Sequence, residues 1–160
     1  SEAVGQAALL YFDVSSRRLS DVTFDWDAVL QFEGNTGPYL QYTHARMCGI
    51  FRRATELGLG GVQPSLTVAD TLADEEWALV RKLQAFPAAV ASACEEREPH
   101  EIARHLHELT SAFNAFYNNH TILEASDPVT TRARLALVHA SQVTLGNGLK
   151  LLGIRPLEVM

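Results

Sequence analysis

Phe32-Glu33-Gly34-Asn35-Thr36-Gly37-Pro38-Tyr39-Leu40-Gln41-Tyr42-Thr43-His44-Ala45-Arg46 is a glycine-punctuated loop that runs straight into a helix. Gly34 and Gly37 admit backbone angles that a Cβ would forbid. Thr36 or Gly37 can cap the helix, and Pro38 suits its first turn, where a missing N–H costs nothing. Tyr39 and Tyr42 are three residues apart and so project from one helix face. Two rings beside a helix N-terminus suit a flexible single-stranded nucleic acid, whose bases stack on rings and whose phosphates favour free backbone N–H groups. Asn35 and Gln41 each carry an amide able to read a base edge as donor and acceptor. Arg46 is suited either to a phosphate or to an internal partner. For a tyrosine on an amphipathic helix the competing role is a ring packed into the core with its hydroxyl outward.

Outward from this segment the helical period dominates. From Pro38 to about Leu57, Leu40, Met47, Ile50, Phe51, Ala54 and Leu57 recur at helical spacing. Upstream, Val4 to Val14 reads as a short buried helix, and Asp25 as the N-cap of another through about Gln31. Downstream, Gly58 to Ser65 reads as a linker. A helix opens near Asp74 with an acidic first turn, and Pro87 is expected to break or bend it, with Ala88 to Glu96 as a further segment. Pro99 opens another helix, striped by Ile102, Leu106, Leu109, Phe113 and Phe116. Asp127-Pro128 starts the last one, striped by Leu135, Val138, Gln142, Leu145, Leu149 and Leu152 and stopped by Gly153. Gly146-Asn147-Gly148 reads as a close-packing site. Only Val22-Thr23-Phe24 is strand-like. The expectation is an all-α helical bundle.

Composition narrows the function classes. The 160 residues are 47% hydrophobic, enough for one ordinary core. No apolar run approaches the ~18 residues of a membrane span, and the N-terminus shows no basic signal-peptide region. Cys48 and Cys94 form no CxxC pair, and both are read as reduced, buried helix residues of a cytoplasmic protein. The six histidines lack metal-ligand spacing, no phosphate loop or nucleophile elbow occurs, and Asp25 and Asp27 around Trp26 read as a capped helix start. The formal net charge of −6 weighs against a protein that binds nucleic acid through phosphate contacts alone. Yet Arg46, Arg52 and Arg53 lie in a stretch, Pro38 to Ala54, without one acidic residue, and the last helix adds Arg132, Arg134 and Lys150. A modest RNA footprint on an acidic molecule is the consistent reading.

FEGNTGPYLQYTHAR resembles the loop-and-helix signature of arginyl-tRNA synthetases. Asp25-Trp26-Asp27, Glu98-Pro99-His100, Ala133-Arg134-Leu135-Ala136-Leu137-Val138 and Leu151-Leu152-Gly153-Ile154 are similar to that family in order and approximate spacing. The resemblance implies the C-terminal, DALR-type helical anticodon-binding region of a class I synthetase. Residues 1–33 would be the tail of the catalytic-domain junction and residues 34–160 the helical domain. The missing initiator Met fits a C-terminal piece. The family's HIGH and KMSKS motifs, which serve ATP and arginine, lie upstream and are not present, so no cofactor and no catalysis are expected of this chain alone. The implied partners are arginine tRNA, through its anticodon loop, and the rest of the synthetase, in a monomeric cytoplasmic enzyme without membrane contact. The expected RNA-binding residues are Asn35, Thr36, Tyr39, Gln41, Tyr42, Arg46 and Met160. The family's tail commonly ends in Met beside the anticodon site after a basic residue, whereas Val159 stands before Met160 here. The alternative is a helical protein–protein interaction module without RNA binding.

Overall fold

A computed structural model describes residues 2–59, 72–123 and 127–160. Among the described residues it is all-helical: α1 Glu2–Val14, α2 Trp26–Val29, α3 Gly37–Glu56, α4 Asp74–Glu96, α5 His100–Asn119 and α6 Pro128–Leu151. The all-α expectation is met, and Val22-Thr23-Phe24 forms no strand. Most of the expected linker from Gly58 to Ser65 lies outside the described residues, as does part of the loop before Asp127.

Side-chain caps fix three starts. The Asp25 carboxylate accepts from Asp27 N–H, the Thr36 hydroxyl from Tyr39 N–H, and the Asp127 carboxylate from Thr130 N–H. The α4 start has no polar cap residue. Instead Glu76 reaches back to the Ala73 N–H at 2.8 Å. Gly153, at φ 74°, ends α6 in the left-handed region that glycine tolerates.

Pro87 does not divide α4, a correction to the sequence reading. The helix runs through it, forgoing one backbone hydrogen bond. Val80, Leu83, Phe86 and Val90 pack against the core on both sides of the proline, and that shared burial carries the helix across.

α5 is the central element, touching α1, α3, α4 and α6. Its fully buried stripe of Leu106, Leu109, Phe113 and Phe116 meets Leu40 and Met47 of α3, Leu79 of α4 and Leu135, Val138, Leu145 and Leu149 of α6 within one cluster. Glycines set the closest approaches. A Cβ on Gly148 would collide with Leu106, and one on Gly146 would come within 3.2 Å of His44 Nε2, so this pair is a close-packing site as expected. A Cβ on Gly37 would strike the Ala7 carbonyl, so Gly37 is required by the approach of α1, not by an unusual backbone angle. Gly34, at φ 73°, does use its conformational freedom.

Candidate nucleic-acid interface

The loop before α3 spends its polar groups on the fold. Thr36 donates to the Gln31 carbonyl at 2.6 Å while its oxygen caps Tyr39 N–H at 3.2 Å. Leu40 N–H bonds the Thr36 carbonyl and Pro38 has no N–H, so little of this N-terminus is left for a phosphate. Asn35 is exposed, but its Oδ1 accepts from the Tyr11 hydroxyl at 2.6 Å. Asn35 and Thr36 line a small depression against α1.

The other predicted residues separate by burial. Tyr39 is half-buried, its hydroxyl accepting from Asn114 Nδ2 at 2.7 Å. Tyr42, one turn on, leaves 39% of its surface exposed. Arg46 follows Tyr42 by four residues on the same face. Its guanidinium carbon lies 4.8 Å from the Tyr42 ring centre and 5.0 Å from that of Tyr117 on α5. Nη1 donates to Asn114 Oδ1 at 2.9 Å and Nη2 to the Tyr42 hydroxyl at 3.1 Å. Asn114 thus bridges Tyr39 and Arg46, and α5 locks the aromatic–arginine array of α3. Each ring contributes cation–π attraction that holds the guanidinium plane.

This array borders a groove of about 770 Å³ into which Tyr42, Arg46, Arg52, Arg53, Tyr117, His120, Val159 and Met160 all face. Phe32, half exposed, joins Tyr42 and Met160 along an adjoining apolar hollow, and Tyr39 and Glu33 join Tyr42 and Arg46 in a third. Tyr42 borders all three concavities. The structure therefore gathers Tyr39, Tyr42, Arg46 and Met160 and leaves Asn35 and Thr36 apart.

Gln41 requires a correction. It is fully buried, and its Nε2 donates to the Arg155 carbonyl at 2.7 Å and more weakly to Ala3 at 3.4 Å. Its amide faces the C-terminal tail, not a base edge. Arg134, counted from sequence among the basic residues of an RNA footprint, is engaged internally: its Nε pairs with the buried Glu76 at 2.9 Å and its Nη1 donates to the Thr121 carbonyl at 2.7 Å. Cys94 is exposed, against the expectation of burial, whereas Cys48 is buried. Burial pushes the Cys48 thiol up, a hydrogen bond from Gln142 opposing it only in part, so this sulfur stays protonated. Among the described residues no group of three His, Cys, Asp or Glu is placed to hold a metal.

Phe32, Tyr117 and His120 were not singled out from sequence as site residues, and Arg52 and Arg53 entered only as part of a basic stretch. Tyr117 carried a signal: four residues after Phe113, on whose ring it stacks with centroids 6.1 Å apart, it sits at the edge of the apolar stripe and stays partly exposed. Arg53 is held by an exposed pair with Glu56 at 2.8 Å, which water screens.

Residues 40–160 match the family model described as the DALR anticodon binding domain. Over its full length the chain is 40% identical to arginine–tRNA ligases of Vibrio parahaemolyticus and Clostridioides difficile, and it spans 27% of the length of each. It superposes on the arginyl-tRNA synthetase of Thermus thermophilus with a TM-score of 0.86 at 36% identity, covering 99% of this chain and 27% of that one. The Plasmodium falciparum arginyl-tRNA synthetase gives 0.83 at 30% identity over the same shares. With residues 40–160 matching that family model and 99% of the chain superposing on these synthetases, the chain belongs to the DALR anticodon-binding domain family.

Proposed function

We propose that the chain binds the anticodon loop of an arginine tRNA as part of an arginine–tRNA ligase. The observation that carries this is the Arg46 guanidinium lodged between Tyr42 and Tyr117 at the edge of a groove that also holds Arg52 and Arg53. Exposed rings offer π-faces to unstacked bases, and guanidinium groups offer charge and planar donors to phosphates and base edges. The acidic remainder repels RNA elsewhere, so the basic strip of α3 sets the docking face. Gripping the anticodon orients the distant acceptor end toward the chemistry, a positioning role. In this reading residues 1–33 form the junction and residues 34–160 the binding body. The packing of α1 on α3 makes that junction a stiff one. ATP and arginine are handled by the rest of a monomeric, cytoplasmic enzyme, and this chain supplies binding without catalysis. No described helix is long and apolar enough to cross a membrane. No described feature favours the protein-docking alternative.

The test is a titration with an arginine tRNA anticodon stem-loop and with a stem-loop of unrelated anticodon across a salt series. Binding should favour the arginine stem-loop and weaken as salt rises, because each phosphate neutralised releases counterions. Equal affinity for both stem-loops would overturn the reading.

A further inference from the structure

Gln41 belongs to a second set of contacts on α3. Three side chains on one face of α3 donate to three carbonyls of the C-terminal tail. Gln41 Nε2 reaches Arg155 at 2.7 Å, His44 Nδ1 reaches Leu157 at 2.8 Å, and Arg52 Nη1 reaches Glu158 at 3.0 Å. Positions 41, 44 and 52 share a helix face with Cys48. Gln41 is 0% and His44 7% exposed, and Gln41 Oε1 has no partner among the described residues. Burying an amide and an imidazole is costly unless they are hydrogen-bonded, and here the tail's carbonyls supply those bonds. Gly146 of α6 lies against the far side of the His44 ring, where even a Cβ would come within 3.2 Å of Nε2. The ring is thus wedged with Nδ1 toward the tail. A carbonyl can only accept, so this nitrogen carries the proton.

We infer that Gln41, His44 and Arg52 form a clasp that reads backbone carbonyls of residues 155–158 and so holds Met160 beside Tyr42 in the groove. These are positioning residues: they act through the tail, whose Met160 and Val159 line the groove with Tyr42 and Arg46. The clasp recognises backbone, so it is indifferent to the tail's side chains. That explains how Leu157, Glu158 and Val159 can stand in the tail without disturbing the placement of its last residue. The inference rests on the proposed RNA-binding role only for its consequence, not for the clasp itself.

The chain has two methionines, which makes a direct test available. Met47 is fully buried in the core and Met160 is at the tail's end, so methyl-¹³C-methionine NMR gives one signal for the fold and one for the clasp. His44→Ala and Gln41→Glu should move the Met160 methyl to the position of a free, mobile methionine while Met47 stays in place. His44→Asn, whose amide nitrogen can take the place of Nδ1, should keep Met160 ordered. In stem-loop binding, His44→Ala should weaken affinity about fivefold, the scale of one net hydrogen bond. Deleting Met160 in that background should add no further loss, because both changes remove the same contact. If Met160 keeps its parent shift and linewidth in His44→Ala while Met47 confirms the fold, the clasp is overturned. If Met160 is freed as expected but the parent binds no stem-loop, the clasp stands and the RNA reading falls.

Discussion

Arg46 lies with its guanidinium carbon 4.8 Å from the centre of the Tyr42 ring while its Nη2 donates to the hydroxyl of that same tyrosine at 3.1 Å. The two residues, four apart on α3, behave as one unit. The arginine stiffens the ring, and the ring fixes the orientation of the guanidinium. Asn114 and Tyr117 of α5 complete the hold. In the proposed RNA-binding role, a platform ordered in advance would lose less side-chain entropy on binding.

Gly37 and Gly148 should respond unequally to an added methyl. Gly37→Ala drives a Cβ into the α1 backbone at Ala7, and Gly148→Ala drives one into Leu106 methyls. Backbone cannot rotate away. Gly37→Ala should therefore cost the upper part of the roughly 1–3 kcal/mol of overpacking, or more, and Gly148→Ala less, each offset by up to about 1 kcal/mol of helix propensity. Denaturant melts of the two variants check the order. Equal or increased stability of Gly37→Ala would show that α1 does not sit where described.

Arg134 should prove structural. It pairs with Glu76, whose side chain is 5% exposed. Arg134→Ala leaves that carboxylate buried without its cation and should cost on the order of 3 kcal/mol. Stem-loop affinity, measured at a temperature where the variant stays folded, should match the parent. An affinity loss without a stability loss would return Arg134 to the RNA surface.

Tyr11 gives the fold an alkaline limit. Its hydroxyl is shared between Asn35 Oδ1 at 2.6 Å and the Ala103 carbonyl at 3.0 Å, and burial pushes its pKa well above the ordinary tyrosine value. The folded chain keeps the proton where the unfolded chain gives it up, near pH 10. Its contribution is therefore complete below about pH 10 and is lost as pH rises from there toward the raised value. Tyr11→Phe should cost about 0.5–1.5 kcal/mol at neutral pH. It should also show a shallower fall in stability than the parent between about pH 10 and pH 12. Parallel pH profiles would contradict this.

The helices were legible because their signals are local. Thr36, Asp127 and Asp25 cap where a Ser/Thr/Asp residue precedes a periodic run, and the Leu135–Val138–Leu145–Leu149 stripe is buried as its spacing requires. Pro87 misled because its local cost is outweighed by apolar contacts on either side of it, which a window of sequence does not weigh. The site was legible where one helix builds it: Tyr42 and Arg46 share a face four residues apart. It was not legible where the partner is distant. Gln41 is polar and adjacent to Tyr42, which suggested solvent, but a carbonyl 114 residues away draws it inside. Tyr117 reaches the groove only because α5 packs beside α3.

The most direct test of the account is the affinity of the arginine tRNA anticodon stem-loop for Tyr42→Ala and Tyr42→Phe, both first shown by thermal melt to fold like the parent. Tyr42→Ala removes the ring and frees Arg46, whereas Tyr42→Phe keeps the π-face and loses only the hydroxyl that Arg46 binds. The account predicts a loss of about 1–3 kcal/mol for Tyr42→Ala, the worth of one stacked base, and a much smaller change for Tyr42→Phe. A folded Tyr42→Ala variant that binds the stem-loop as tightly as the parent at every salt concentration would contradict it.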